Sequence, residues 1–164
     1  MSGETLAGEL VQAAAARRLT VAVAEADTGG LVLSWLTAWP GSSAVVLGGV
    51  VPYADSLKRD LLGVDAELIA EHGAVSEAVA EAMAVGLLSA TGADLALAST
   101  GIAGPGGARP GKPVGLVWVA VATPHGVTAR QHRWRGDRAA NRRASGRALL
   151  RLALEMVSSL EQMC

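Results

Sequence analysis

Two short apolar runs in this chain each empty into a glycine-bearing loop. That feature constrains the fold more than any other. Residues 20–24 (TVAVA) lead into Glu25-Ala26-Asp27-Thr28-Gly29-Gly30, and residues 94–100 (DLALAST) lead into Gly101-Ile102-Ala103-Gly104-Pro105-Gly106-Gly107. Runs this short, alternating and partly β-branched, suit strands better than helices. After the first loop the apolar residues 31–39 follow, so the pattern reads strand, tight loop, helix. In an α/β domain such loops lie at the carboxyl ends of strands, where ligands bind.

Helices and further strands fill the intervals. Residues 2–19 place Leu6, Leu10 and Ala13 with Ala14 at helical spacing behind Ser2 as a cap, with Glu4 near the start. Pro40-Gly41-Ser42-Ser43 stops the second helix, and residues 44–51, nearly all apolar or glycine, predict a strand covered on both faces. Residues 65–72 and 76–90 predict two helices, the second with Val79, Met83 and Leu87 as its apolar stripe. Residues 114–122 and 127–135 predict an antiparallel pair around Pro124-His125-Gly126, and 138–162 a long closing helix. With no repeat, low-complexity tract or linker, 1–164 is expected to be one α/β unit: a mixed sheet with helices on its faces.

Composition narrows the function classes. Of 164 residues 51% are hydrophobic and 18% charged, which is a globular balance and far from that of a disordered chain. Fourteen Lys plus Arg against fifteen Asp plus Glu leave a net charge of −1, so no overall attraction for nucleic acid or anionic lipid exists. Cys164 is the only cysteine, which excludes an internal disulfide and a thiolate zinc cage. His72, His125 and His132 lack metal-ligand spacing, so neither a metal nor another cofactor is expected. Glu4 and Glu9 break any secretory pattern, and the turn at 40–43 interrupts the longest apolar stretch, 31–53. A soluble, cytoplasmic protein is the expectation.

Four constellations could carry chemistry. In the first loop Glu25, Asp27 and Thr28 stand beside Gly29 and Gly30, which let a ligand approach the backbone; alternatively Asp27 or Thr28 caps the following helix. Tyr53 is the only tyrosine and Lys58 one of two lysines, and a lysine can act as a base once desolvated. The plainer alternative is a solvated Lys58 on a helix leading to Leu61 and Leu62, with Tyr53 a half-buried ring. The loop 101–107 exposes many N–H groups and could cradle an oxyanion or phosphate, although it matches neither the P-loop nor the dinucleotide fingerprint. Arg143, Arg147 and Arg151 share one helical face with Arg138 and Arg142 nearby; this favours a solvated stripe in which Glu155 pairs with Arg151.

Taken together, the segments resemble the CinA C-terminal domain family, whose stand-alone members are nicotinamide-nucleotide amidohydrolases. The resemblance runs from about Leu6 to Leu154. It rests on Ala24-Glu25-x-x-Thr28-Gly29-Gly30, Pro40-Gly41-Ser42-Ser43, Tyr53 with Lys58, Leu62-Gly63-Val64, His72-Gly73-Ala74-Val75-Ser76, Thr100 to Gly107, Lys112-Pro113-Val114-Gly115 and Gly136-Asp137-Arg138, in the family's order and spacing. It implies a three-layer α/β/α fold, a homodimer, no metal and a pocket for a pyridine mononucleotide. The implied binding residues are Glu25, Gly29, Gly30, Thr100, Gly101, Ile102, Ala103, Gly104, Gly106, Gly107 and Arg138. Bifunctional relatives carry a long N-terminal pyrophosphatase domain, and this chain is expected to stand without one.

Family members hydrolyse the carboxamide of nicotinamide mononucleotide to nicotinate mononucleotide and ammonia. The resemblance implies a serine nucleophile in the loop Ala-Glu-Ser-Cys-Thr-Gly-Gly, activated by the lysine at Lys58 and assisted by the tyrosine at Tyr53. Here the serine position is Ala26 and the next is Asp27, while the family's Tyr-Ser-Asn-Glu-x-Lys reads Tyr53-Ala54-Asp55-Ser56-Leu57-Lys58. A methyl group cannot attack a carbonyl, so weak or lost amidase activity is expected. Three readings follow. The chain is a diverged hydrolase in which Asp27 or Lys58 activates water, or Thr28 or Ser56 replaces the nucleophile. Or it is a non-catalytic pyridine-nucleotide-binding module. Or a serine was deliberately changed to alanine, which the further changes at 27 and 54–56 argue against.

Overall fold

The structure, a computed structural model, describes residues 1–161; Gln162 and Cys164, named above, lie outside the described residues. The chain runs α1 (Gly3–Ala16), β1 (Val21–Glu25), α2 (Leu31–Thr37), a 3-10 turn at Ser42–Ala44, β2 (Val46–Val50), α3 (Asp55–Leu62), α4 (Ala66–His72), α5 (Glu77–Thr91), β3 (Leu95–Gly101), β4 (Leu116–Thr123), β5 (Gly126–Arg133) and α6 (Arg138–Glu161). Capping explains several starts. Ser2 accepts from Thr5 N, Asp65 from Glu67 N and Ser76 from Val79 N.

The sheet order is β2-β1-β3-β4-β5, with β2, β1 and β3 parallel and β4 and β5 antiparallel. Its two faces differ because the strands alternate large and small residues. Val21, Val23, Leu95, Leu97, Val117, Val119 and Val121 face α1, α2 and α6. Ala22, Ala24, Ala96, Ala98, Ala120 and Ala122 face α5, with α3 and α4 packed outside it. A buried valine or leucine contributes about 1.5–3 kcal/mol and an alanine far less. Gly86 of α5 lies against the Leu62 carbonyl so tightly that a Cβ there would collide with it.

Two expectations are corrected. Residues 44–51 do not form a strand covered on both faces: β2 is the sheet edge, and Leu47 is 53% exposed. Glu155 does not pair with Arg151; it bonds Arg130 on β5, with Arg130 Nη2 2.6 Å from Oε2. Its partner comes from the neighbouring strand, which helical spacing cannot reveal.

The order of the strands positions the site. From β1 the chain crosses to β2 on one side, and from β2 it returns through α3, α4 and α5 to β3 on the other. The carboxyl ends of β1 and β3 therefore diverge at a topological switch point, where open α/β sheets form a crevice. The two glycine loops both start there.

Candidate functional site

A pocket of about 160 Å³ occupies this crevice, lined by Ala26, Asp27, Tyr53, Asp55, Lys58, Ala74, Val75, Thr100, Gly101, Ala103 and Arg138. The loop after β1 is stitched to β3 by the Ala26 N–H donating to the Ser99 carbonyl at 3.0 Å. Strand alternation continues into it. Ala26 packs with the alanine face, while Glu25 and Asp27 turn towards the α2 and α6 side.

Lys58 is not solvated: on α3 it is only 2% exposed, and its ammonium donates to Asp55 Oδ1 at 3.1 Å and to the Tyr53 carbonyl at 3.5 Å. Tyr53, by contrast, is 63% exposed, so it is not a half-buried ring. Its hydroxyl accepts from Arg138 Nη2 at 3.0 Å, and Arg138 Nη1 donates to the Gly104 carbonyl at 2.8 Å. Arg138, first residue of α6, thus clamps the tyrosine to the second glycine loop across the pocket rim. Thr100 lines the floor and donates its hydroxyl to the Ala74 carbonyl at 2.8 Å.

The other loop residues serve the scaffold. Glu25, buried, accepts from the N–H groups of Val32 and Leu33 at 2.9 and 2.8 Å. It therefore caps α2 in place of Asp27 or Thr28, and its carboxylate fills the position an anion would need at that helix start. Thr28 is wholly buried with its hydroxyl 3.0 Å from that of Ser99, and its carbonyl accepts from Arg142 at 2.8 Å. Asn141 holds the Ala103 carbonyl at 3.0 Å. Gly29, Gly30, Ile102, Gly106 and Gly107 shape the two loops without lining the pocket.

Asp27 is the anomaly. Its two carboxyl oxygens are sealed from solvent and have no hydrogen-bond partner among the described residues. The carboxyl lies under Gly101, where a Cβ would stand 3.0 Å from Oδ2. Burial pushes its pKa up, and the nearby hydroxyls of Ser145 and Ser99 only partly oppose this. Asp27 thus lines the pocket, but with both carboxyl oxygens sealed from solvent beneath Gly101.

Beside the pocket runs a groove of about 690 Å³, sharing Asp55, Ala74 and Val75 with it. Its far wall is the turn Arg109-Pro110-Gly111-Lys112, tied down by Lys112, whose ammonium donates to the Val75 carbonyl at 2.7 Å and to that of His72. Burial, and secondarily Arg109, holds the Lys112 pKa below the usual lysine range. Among the described residues no group of three or more His, Cys, Asp or Glu side chains could hold a metal. No helix among them is long and apolar enough to cross a membrane.

Residues 3–157 match the CinA C-terminal domain family. The chain belongs to that family. A CinA-like protein of Mycolicibacterium gilvum (strain PYR-GCK) is 62% identical over 108 residues, covering 66% of this chain and 26% of that relative. A CinA-like protein of Anaeromyxobacter sp. (strain Fw109-5) is 50% identical over 154 residues, covering 92% and 38%. The chain thus spans about a quarter to two fifths of the length of these relatives. The crystal structure of a competence-damaged protein (CinA) superfamily protein from Klebsiella pneumoniae 700603 superposes with a TM-score of 0.93 at 34% identity, covering 97% of this chain and 99% of that one. The competence/damage inducible protein CihA from Agrobacterium tumefaciens gives 0.91 at 41% identity, with 95% of each chain covered.

Sequence reasoning brought Ala26, Tyr53, Lys58, Thr100 and Arg138 to one pocket. It missed Asp55 as the partner of Lys58, and Asn141 and Arg142 as the side chains that hold the two loops. The available signal was their place three and four residues after Arg138, where a helix brings side chains back to nearly the same face.

Proposed function

We propose that this CinA-family chain binds a pyridine mononucleotide in the pocket between β1 and β3 and hydrolyses its carboxamide weakly or not at all. The observation that carries the reading is Ala26, a methyl group in the pocket wall that also holds Lys58 and Thr100. In amide hydrolysis through an acyl-enzyme, an alcohol oxygen forms the new bond to the carbonyl carbon and the amine departs as ammonia; Ala26 has no such oxygen.

None of the neighbours stands in. The Asp27 carboxyl is buried towards α6, the Thr28 hydroxyl is buried against Ser99, and Ser56 is exposed outside the pocket. Thr100 commits its proton to the Ala74 carbonyl, and Lys58 is held by Asp55 and the Tyr53 carbonyl. This favours a binding module over a diverged hydrolase. Tyr53, Thr100, Gly101, Ala103 and Arg138 are then the ligand contacts, and Glu25, Thr28, Gly29 and Gly30 hold the loop. A cytoplasmic homodimer completes the reading, with the exposed Leu47 and Val51 beside the β2 edge and Leu57 and Leu61 of α3 as its apolar face.

Calorimetry with nicotinamide mononucleotide tests the binding half. The expected outcome is a saturable heat, with a thermal stabilisation of about 2.7 kcal/mol at a hundredfold excess over Kd. Neither heat nor a melting shift at millimolar nucleotide would contradict it.

A further inference from the structure

The groove beside the pocket has no role in the account so far, and its chemistry points to one. The pocket, about 160 Å³, is smaller than the roughly 300–1,000 Å³ common for small-molecule sites. A nucleotide whose planar head fills it must extend through the shared wall of Asp55, Ala74 and Val75 into the groove of about 690 Å³. The charged groups there are unequal. Asp55 is spent on Lys58, and Lys112 is spent on the carbonyls of His72 and Val75. Glu71 has a side chain 76% exposed at the end of α4, 3.8 Å from His72. Of the groove's basic residues, Lys112 donates to two carbonyls and His72 lies beside Glu71, whereas Arg109 makes no side-chain hydrogen bond or ion pair among the described residues.

Arg109 is also placed rather than loose. Its N–H donates to the Lys112 carbonyl at 2.9 Å and its carbonyl accepts from Lys112 N at 2.8 Å, closing a turn with Pro110 and Gly111 at the centre. Gly111 takes φ +73°, the left-handed value this turn needs after proline. Because Lys112 anchors the same turn to the end of α4, the backbone that carries the guanidinium is fixed to the groove wall.

We propose that Arg109 is a phosphate-binding residue that receives the phosphomonoester tail of the nucleotide whose head enters the Ala26 pocket. This rests on the binding reading above and adds the subsite that distinguishes a nucleotide from its nucleoside. A guanidinium suits the task because it can donate two parallel bonds to phosphate oxygens.

The test compares nicotinamide mononucleotide with nicotinamide riboside by calorimetry on the parent chain and on Arg109→Ala, with circular dichroism to confirm that the exposed substitution leaves the fold intact. The parent should bind the mononucleotide more tightly than the riboside. Arg109→Ala should weaken the mononucleotide by about 10- to 100-fold, the scale of a lost charge-assisted bond, and leave the riboside within about twofold. Arg109→Lys should recover part of the loss. Mononucleotide binding equal in parent and Arg109→Ala would overturn the proposal while the pocket reading stood. So would equal weakening of both ligands. A parent that binds neither ligand would remove the pocket reading itself.

Discussion

At position 26 the proposed reading turns on a methyl group where amide hydrolysis through an acyl-enzyme needs an alcohol, and at position 27 the carboxyl has a cost of its own. A buried carboxyl with no donor is destabilised as an anion, and at Asp27 both oxygens are in that state. The folded chain therefore keeps this proton at pH values where the unfolded chain, with a pKa near 3.8, has released it. Stability from the group is complete below that value and is lost as pH rises towards and through the raised folded pKa. Asp27→Asn keeps the size and cannot ionise. In melting curves from pH 4 upward the variant should gain on the parent as pH rises until the folded carboxyl ionises, and the gap should then level off; a gap independent of pH would contradict the assignment. The letters placed Asp27 beside the site but left its direction open. Strand alternation past Glu25, together with the space over Gly101, decides it, and neither can be read before β1 and β3 are paired.

At the scale of elements, periodicity and caps were legible and layer positions were not. Ser2, Asp65 and Ser76 cap the helices where the sequence places or allows them, and Val79, Met83 and Leu87 are buried as their spacing predicts. The run at 44–51 looked like an interior strand because it is apolar throughout, yet β2 is an edge. Its composition has another use. An edge strand with Leu47 exposed, followed in the chain by exposed Val51, Leu57 and Leu61, invites pairing, and in the proposed dimer a second copy would cover it symmetrically. Light scattering should give twice the chain mass of 16.6 kDa, and Leu47→Lys should return the monomer. A parent that stays monomeric at tens of micromolar would contradict the dimer.

For the whole molecule, the sheet order converts separate motifs into one site. The glycine loops lie far apart in sequence, and the return of the chain across β1 sets their start points side by side. Arg138, Asn141 and Arg142 then fasten both loops from α6. That scaffold matches a crystal structure of a CinA superfamily protein over almost its full length, and the proposed reading places Ala26 where the family resemblance implies a nucleophile. The central claim is that one oxygen is missing from an otherwise assembled pocket. Ammonia release from nicotinamide mononucleotide, measured side by side for the parent and Ala26→Ser, tests it most directly. The account predicts a parent rate lower by several powers of ten than that of an active amidase, and a clear rise when the hydroxyl is restored beside Lys58. Turnover by the parent at ordinary enzyme rates, unchanged in Ala26→Ser, would contradict it.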